Sequence, residues 1–136
     1  NGRIVFDGIV ESAKTALANG IPVGLGNDVG CPYITQYDFW RELCYFRKYV
    51  GVSNAFALHT ATGRAAEVMG LGSVTGTIEV GKCADLIVTR KDPLADLRAL
   101  RNIDLVVARG RRYDAPRVKH NALVTAELDK FLPGND

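Results

Sequence analysis

The chain has 136 residues, of which 47% are hydrophobic, and this length and composition suit one globular domain with its own core. Its 17 basic and 15 acidic residues give a net charge of +2, so no strong field points to nucleic acid or a membrane surface as a partner. No apolar run approaches the roughly 20 residues that span a bilayer, and no signal peptide opens the chain. Three scattered cysteines favour reduced thiols in a cytoplasmic protein over a disulfide framework.

The first part of the chain predicts one helix and one strand. The helix is expected from about Gly8 to Asn19, with Asp7 as its cap and Gly20 as its left-handed stop. The apolar run from Ile21 to Leu25 then indicates a fully buried strand. A helix, a tight turn, a buried strand and an acidic loop, here Gly26-Asn27-Asp28, form one step of a parallel α/β barrel.

Two further helices are predicted next. Between Tyr37 and Val50 apolar residues recur at helical spacing and form a buried stripe, while Arg41 and the other charged residues of the segment face outward. Ser53 is placed to cap a helix that ends at Gly70. The many alanines of that helix indicate a close approach to a neighbouring surface.

Short β-rich runs separated by glycines follow from about residue 72. The predicted strands are Thr77 to Val80, Ala84 to Thr89, Ile103 to Arg109 and Arg111 to Tyr113. A last helix is expected from about Asn121 to Leu132, ended by Pro133-Gly134. The chain therefore divides into an α/β part (1–71), a β segment (72–119) and a C-terminal helix (120–136).

Five ordered motifs carry a resemblance to a known family. They are Gly26-Asn27-Asp28, Ala57-Leu58-x-x-Ala61-Thr62, Gly76-x-Ile78-x-x-Gly81-Lys82-x-Ala84-Asp85-Leu86, Asp92-Pro93-Leu94-x-Asp96 and Val106-Val107-x-x-Gly110-Arg111. In this order they closely resemble the C-terminal third of the amidohydrolase superfamily. Asn27 stands where Thr is commoner. Within the superfamily, the sequence is most similar to the branch that contains imidazolonepropionases and metal-dependent prolidases.

The resemblance implies a fold and an activity. The fold is α/β: the C-terminal fragment of a (β/α)8 metal-dependent hydrolase barrel, with part of the attached small β-sandwich. The activity is hydrolysis of C–N bonds in small amide, cyclic amide or peptide-like substrates by water activated on a divalent metal, expected to be zinc. Asp28 inherits the family's role of metal ligand and proton shuttle. Asn27, Cys31 and Tyr33 share its loop and are candidate substrate contacts.

Each candidate has a plainer interpretation. An Asp between Asn and Val-Gly is usually a turn former, and only the four ordered downstream motifs favour catalysis for Asp28. Cys31 alone is an ordinary loop thiol. Asp85 is expected to hold a turn of the sandwich rather than to catalyse. The basic residues between Arg109 and Lys119 are expected to form a solvated face rather than a polyanion site.

The other metal ligands of the family are not found in this sequence. It has two histidines, His59 at a variable helix position and His120 in a basic linker, and a surface or partly buried place is the default for each. It contains no His-x-His, His-Glu-x-x-His or Cys-x-x-Cys motif. The chain, which also lacks an initiator Met, is therefore expected to be an inactive fragment that binds no stoichiometric metal by itself.

One alternative stays open, and one partner is expected. The alternative is a non-catalytic β-sandwich and helical interaction module without metal chemistry. A strand from 21 to 25 without its barrel neighbours, and helices without their partners, would expose apolar surface. The sequence therefore predicts a homo-oligomer.

Overall fold

The computed structural model describes residues 2–132. The α-helices, in chain order, are α1 (Gly2–Ala18), α2 (Trp40–Tyr45), α3 (Asn54–Ala61), α4 (Gly63–Val68) and α5 (Ala122–Asp129). A π-helical turn (Phe46–Val50) continues α2, and a 3-10 helix (Leu97–Arg101) lies between the first two strands. The strands are β1 (Leu86–Thr89), β2 (Ile103–Ala108) and β3 (Arg111–Asp114). Within residues 2–132, every helix is too short or too polar to cross a bilayer.

The three strands form one antiparallel sheet in the order β1-β2-β3. Ile87 of β1 lies opposite Val106 of β2, and Val106 lies opposite Tyr113 of β3. The two-residue loop between β2 and β3 has positive φ at both Arg109 (50°) and Gly110 (76°), as the tightest hairpin turns require. These three predicted strands are confirmed, with bounds that differ by one or two residues.

The fourth predicted strand, Thr77 to Val80, is wrong. Residues 77–80 have no ladder partner in the described chain and form bends and a turn instead. Ile78 and Val80 are fully exposed there. A strand requires a neighbour for its backbone groups, and short β-rich composition alone does not supply one.

The core is built around α2. The buried hydrophobic cluster contains Trp40, Leu43, Cys44, Phe46, Ala57, Leu97, Leu100 and Leu132. It joins α2 and the π-helical turn to α3 on one side and the 3-10 helix on the other. The predicted apolar stripe between residues 37 and 50 is therefore confirmed, and Gly51 ends the segment at a φ of 88°.

The next helix has the predicted cap and an unpredicted break. The Ser53 hydroxyl accepts the Phe56 N–H at 3.1 Å, as expected for an N-cap. The helix is split at Thr62, whose backbone leaves the helical region (φ −123°, ψ −94°). The Thr62 hydroxyl donates to the Leu58 carbonyl at 2.8 Å, a bond that competes with the helix ladder. Gly70 then ends α4 in the left-handed region, as predicted.

The first helix is longer and more exposed than predicted. It begins at Gly2, so Asp7 is an internal residue whose carboxylate lies 3.8 Å from the Arg3 Nε, rather than a cap. Gly20 stops it at a φ of 69°, as predicted. With residues 2–132 as the only neighbours, no side chain of α1 is fully buried. Ile9 is exposed, whereas Ala13, Ala16 and Leu17 are half-buried.

The predicted strand from Ile21 to Leu25 does not form. Residues 21–28 carry no regular secondary structure, and Ile21 is exposed. Val23 and Leu25 pack against the core, and the Leu25 N–H donates to the Thr60 carbonyl at 3.3 Å. A buried strand of a parallel sheet depends on ladders to strands on both sides. The described residues supply α3 as the neighbour instead, so the segment stays extended without a ladder.

Arg41 is the largest departure from the sequence prediction. Its side chain is buried rather than outward-facing, with 3% exposed. Its Nε lies 3.3 Å from Asp38 Oδ1 and its Nη1 lies 2.7 Å from Asp129 Oδ1, a residue of α5. Burial alone would lower the pKa of Arg41, but the Asp129 and Asp38 carboxylates outweigh it and raise the pKa. The guanidinium is therefore a charged, paired group inside the fold.

Asp38 has further donors of its own. Thr35 Oγ1 donates to Asp38 Oδ2 at 2.8 Å, and Trp40 Nε1 donates to Asp38 Oδ1 at 3.2 Å. The Arg41 guanidinium also lies 4.6 Å from the Trp40 ring centroid. Such a network offsets part of the cost of burying a charge, because the guanidinium lies beside two carboxylates and Asp38 accepts two further hydrogen bonds.

We predict that Arg41→Met lowers the free energy of unfolding by about 3 kcal/mol, because it leaves the Asp38 charge buried without its cation. Arg47→Met, on the exposed side of the same helical segment, is the control and is expected to change it by less than about 0.5 kcal/mol. Urea unfolding followed by circular dichroism measures both. Adding Asp38→Asn to Arg41→Met should recover part of the loss. Equal stability of the two single variants would contradict the role of the network.

Candidate active site

The loop that carries Asp28 is positioned by the helices beneath it. A β-carbon placed at Gly24 would lie 3.2 Å from the Ala65 Cα, so glycine permits the extended segment to lie directly on α4. The same close approach recurs at Gly76, where a β-carbon would lie 2.5 Å from the Ala66 Cβ. The alanines of α4 therefore do form the close-contact surface that the sequence indicated.

Asp28 combines a turn backbone with a free carboxylate. Its φ of 42° lies in the left-handed region, which Asp tolerates better than most residues. The Cys31 N–H points to the Asp28 carbonyl at 3.4 Å, which closes the turn. The side chain is exposed, and within residues 2–132 its carboxylate makes no hydrogen bond or ion pair. The turn-former interpretation holds for its backbone, and the carboxylate is available for chemistry.

The candidate loop residues divide between a small cavity and the open surface. Asn27 and Tyr33 line a cavity of about 140 Å³ whose walls include Asp38, Arg41 and Glu42. Tyr33 adopts a φ of 65°. Asp28 and Cys31 are exposed on the loop and do not line this cavity. The structure thus brings two of the four candidates together over the Arg41 network.

Glu42 is a carboxyl that the sequence analysis placed on the outward side and did not connect with the site. It lies in α2, lines the same cavity and is half-buried. Burial raises its pKa, and the negative charge of Asp28 raises it further. The Glu42 carboxyl therefore loses its proton at a higher pH than an ordinary glutamate does. The signal in the sequence is the pattern Asp38-x-x-Arg41-Glu42 at the start of a helix, where residues three apart are neighbours.

The two histidines do not join this loop. His59 is exposed on α3, and His120 is exposed with its ring 4.3 Å from the Tyr37 ring. Among residues 2–132, no three or more His, Cys, Asp or Glu side chains are grouped so that they could hold a metal ion. Within residues 2–132, the Asp28 carboxylate is therefore not part of a group of metal ligands.

Asp85 has the structural place that the sequence predicted. Its Oδ1 accepts the Arg109 N–H at 2.7 Å, and its Oδ2 accepts the Thr75 hydroxyl at 3.0 Å. The hydrogen bond from the Arg109 backbone, and to a smaller extent the one from Thr75, hold the pKa of Asp85 below its usual range. A lowered pKa stabilises the fold above the pKa of the unfolded chain, and this contribution is lost as pH falls through the folded pKa. Asp85 therefore fixes the hairpin loop between β2 and β3.

The match to a family defines the class of this chain. The model of the Amidohydrolase family matches residues 8–113, so the chain belongs to that family. This range includes Asp28 and all five ordered motifs.

Several solved structures of hydrolases are similar to this chain in sequence and in fold. The chain is 43% identical, with a TM-score of 0.86, to a structure described as "putative prolidase from Bifidobacterium longum", over 89% of this chain and 30% of that one. It is 29% identical, with a TM-score of 0.68, to a Xaa-Pro dipeptidase with methionine bound in its active site, over 78% of this chain and 25% of that one. It is 27% identical, with a TM-score of 0.61, to molinate hydrolase, over 85% and 28%.

The chain therefore spans about 30% or less of the length of these solved structures. No curated protein sequence gave a match. The likeness supports a hydrolase of the amidohydrolase superfamily.

We predict that two of the three thiols react rapidly with a disulfide reagent such as DTNB at pH 8. Cys31 and Cys83 are exposed, whereas Cys44 is buried in the core and burial raises the pKa of its thiol to about 11. Cys44 should react only after unfolding in denaturant. Cys31→Ser should leave one rapid thiol, and Cys44→Ala should leave two. Three equally rapid thiols in the native chain would show that the core around α2 is open.

Proposed function

We propose that these residues form the C-terminal part of a longer hydrolase that cleaves C–N bonds in small amide or peptide-like substrates. The observation that carries the proposal is the free Asp28 carboxylate, exposed on a loop at the position of the family motif. The 43% identity to a structure described as a putative prolidase supports a peptide-like substrate.

We expect the longer hydrolase to use a divalent metal, zinc, which would supply an activated water at neutral pH. The residues of this chain do not fit a complete site, because residues 2–132 bring no three candidate ligands together. In the longer protein Asp28 would be one ligand among others. We expect the 136-residue chain alone to be inactive.

Within this proposal Asp28 carries a proton. A carboxylate beside the attacking water accepts its proton and then donates it to the leaving nitrogen. The open position of Asp28, without a neutralising partner in residues 2–132, keeps both oxygens available for this transfer. Asn27 and Tyr33 line the neighbouring cavity, and we propose that they contact substrate.

We predict that Asp28→Asn in the longer protein lowers kcat by about 10²–10⁴-fold, because the amide keeps the size of the side chain but cannot accept the proton. Asp7→Asn, an exposed carboxylate on α1, is the matched control and should leave turnover unchanged. Steady-state hydrolysis of a proline-containing dipeptide across the pH range measures both, with the metal content determined in parallel. Near-normal turnover of Asp28→Asn at every pH would leave Asp28 as a turn former.

The isolated chain provides the second half of the test. Asp28→Asn should change its free energy of unfolding by less than about 1 kcal/mol, as for an exposed loop residue. Elemental analysis should find no stoichiometric zinc, manganese or iron. One equivalent of metal per chain, lost in Asp28→Asn, would refute the single-ligand account while leaving the hydrolase proposal intact.

We also propose that the isolated chain associates with copies of itself through α1. Val5 and Ile9, four residues apart on one side of α1, are 62% and 63% exposed, and they form apolar surface of the kind that monomers usually cover. Phe6 packs edge-on against Tyr49 and Leu17 packs against the core, so these contacts hold other parts of the helix.

Ile9→Lys should shift the chain toward monomer, because it places a charge in the middle of this apolar face. Ala18→Lys lies on the opposite side of α1 and should leave the association unchanged. Sedimentation velocity at several concentrations measures the difference. A monodisperse monomer of the unmodified chain at high concentration would contradict the proposal.

A further inference from the structure

A second space lies away from the Asp28 loop, between α2, α3 and the sheet. It is a cavity of about 450 Å³ with walls that are mostly apolar. The apolar walls include Phe39, Trp40, Leu43, Leu58, Leu100 and Val106. This volume and character are typical of sites for small organic ligands. The loop residues 27–33 do not line it, so it is distinct from the proposed hydrolytic site.

The cavity adjoins a basic groove. Arg101, Ile103, Pro116, Val118 and His120 line both the cavity and an open groove of about 930 Å³. The two spaces therefore share one side. The groove is lined by five Lys or Arg side chains and by two Asp side chains. Its field favours an anion at the mouth of the cavity.

Two of these cations have no acidic partner within residues 2–132. Arg90 binds Asp104 through both carboxylate oxygens at 2.9 and 2.8 Å, and Arg98 binds Asp96 in the same way. Lys91 and Arg117, by contrast, make no ion pair in the described chain. The groove thus has two uncompensated positive charges next to an apolar cavity.

We propose that this site binds a small amphiphilic carboxylate, such as a medium-chain fatty acid or an aryl-substituted acid. The apolar body of the ligand fills the cavity beside Trp40, where its transfer from water is favourable. Its carboxylate lies at the mouth and is bound by Lys91 and Arg117. A neutral chain of the same length loses the ionic contacts, and a cationic one is repelled by the groove.

The chain contains its own reporter for this test. Trp40 is the single tryptophan and lies in the cavity wall. Its fluorescence therefore responds to a ligand in the cavity without any label. Decanoate, 1-decanol and decyltrimethylammonium share one chain length and differ in charge, so they separate the ionic contribution from the apolar one.

The experiment titrates the full 136-residue chain with each probe and follows Trp40 emission. Decanoate should bind saturably and at least about tenfold more tightly than the other two probes. Lys91→Gln with Arg117→Gln should weaken decanoate by about tenfold. The control, Lys14→Gln with Arg111→Gln, removes the same charge from an exposed lysine and an exposed arginine outside the groove and should weaken it by less than about twofold.

A cavity-filling variant tests the apolar half of the site. Ala61→Leu adds volume at the cavity wall and should weaken decanoate by at least about fivefold while the far-UV circular dichroism is unchanged. If that variant misfolds, the charge variants still decide. Equal binding of the three probes, equal loss in the two double variants, or no saturable change in emission would each overturn the proposal.

Discussion

The buried guanidinium of Arg41 is the interaction on which the rest of the structure depends. It joins the start of α2, through Asp38, to the C-terminal helix α5, through Asp129. Removing these charges from water is costly, and the pairing of Arg41 with both carboxylates offsets part of that cost. Tyr45 Oη also donates to the Leu128 carbonyl at 3.4 Å, a bond between residues 83 positions apart. The position of α5 against α2 follows from these contacts, and so does the small cavity beside the Asp28 loop.

Local chemistry was readable from the sequence, and long-range pairing was not. The Ser53 cap, the glycine stops and the apolar stripe of α2 were predicted because each depends on residues within one or two helical turns. The missing ladder at residues 21–25 depends on neighbouring strands, which no local pattern encodes. Arg41 was misplaced for a similar reason. Its carboxylate partner Asp129 lies in the last helix, and a solvated face is the usual place for an arginine.

In the candidate site, too, the local motif was predicted from the sequence and the long-range contacts were not. The motif located Asp28, and the structure shows its carboxylate exposed on a loop. The environment of the loop was not predicted, because Glu42 and the Arg41 cavity come from a helix that folds back beneath it. Glu42 is raised in pKa by burial and by Asp28 together, so the two carboxyls share one electrostatic neighbourhood.

The segment 115–120 that links β3 to α5 has a consequence for how long the molecule survives intact. All of its residues are exposed, and it contains Arg117 and Lys119, the residue types after which trypsin-like proteases cut. While the backbone is continuous, α5 is held near Arg41 at a high effective concentration. A single cut in the link would turn that intramolecular contact into a bimolecular one, and α5 would diffuse away in dilute solution. Arg41 would then have one carboxylate beside it instead of two. Cleavage of one exposed peptide bond would therefore remove an ion pair from the buried core.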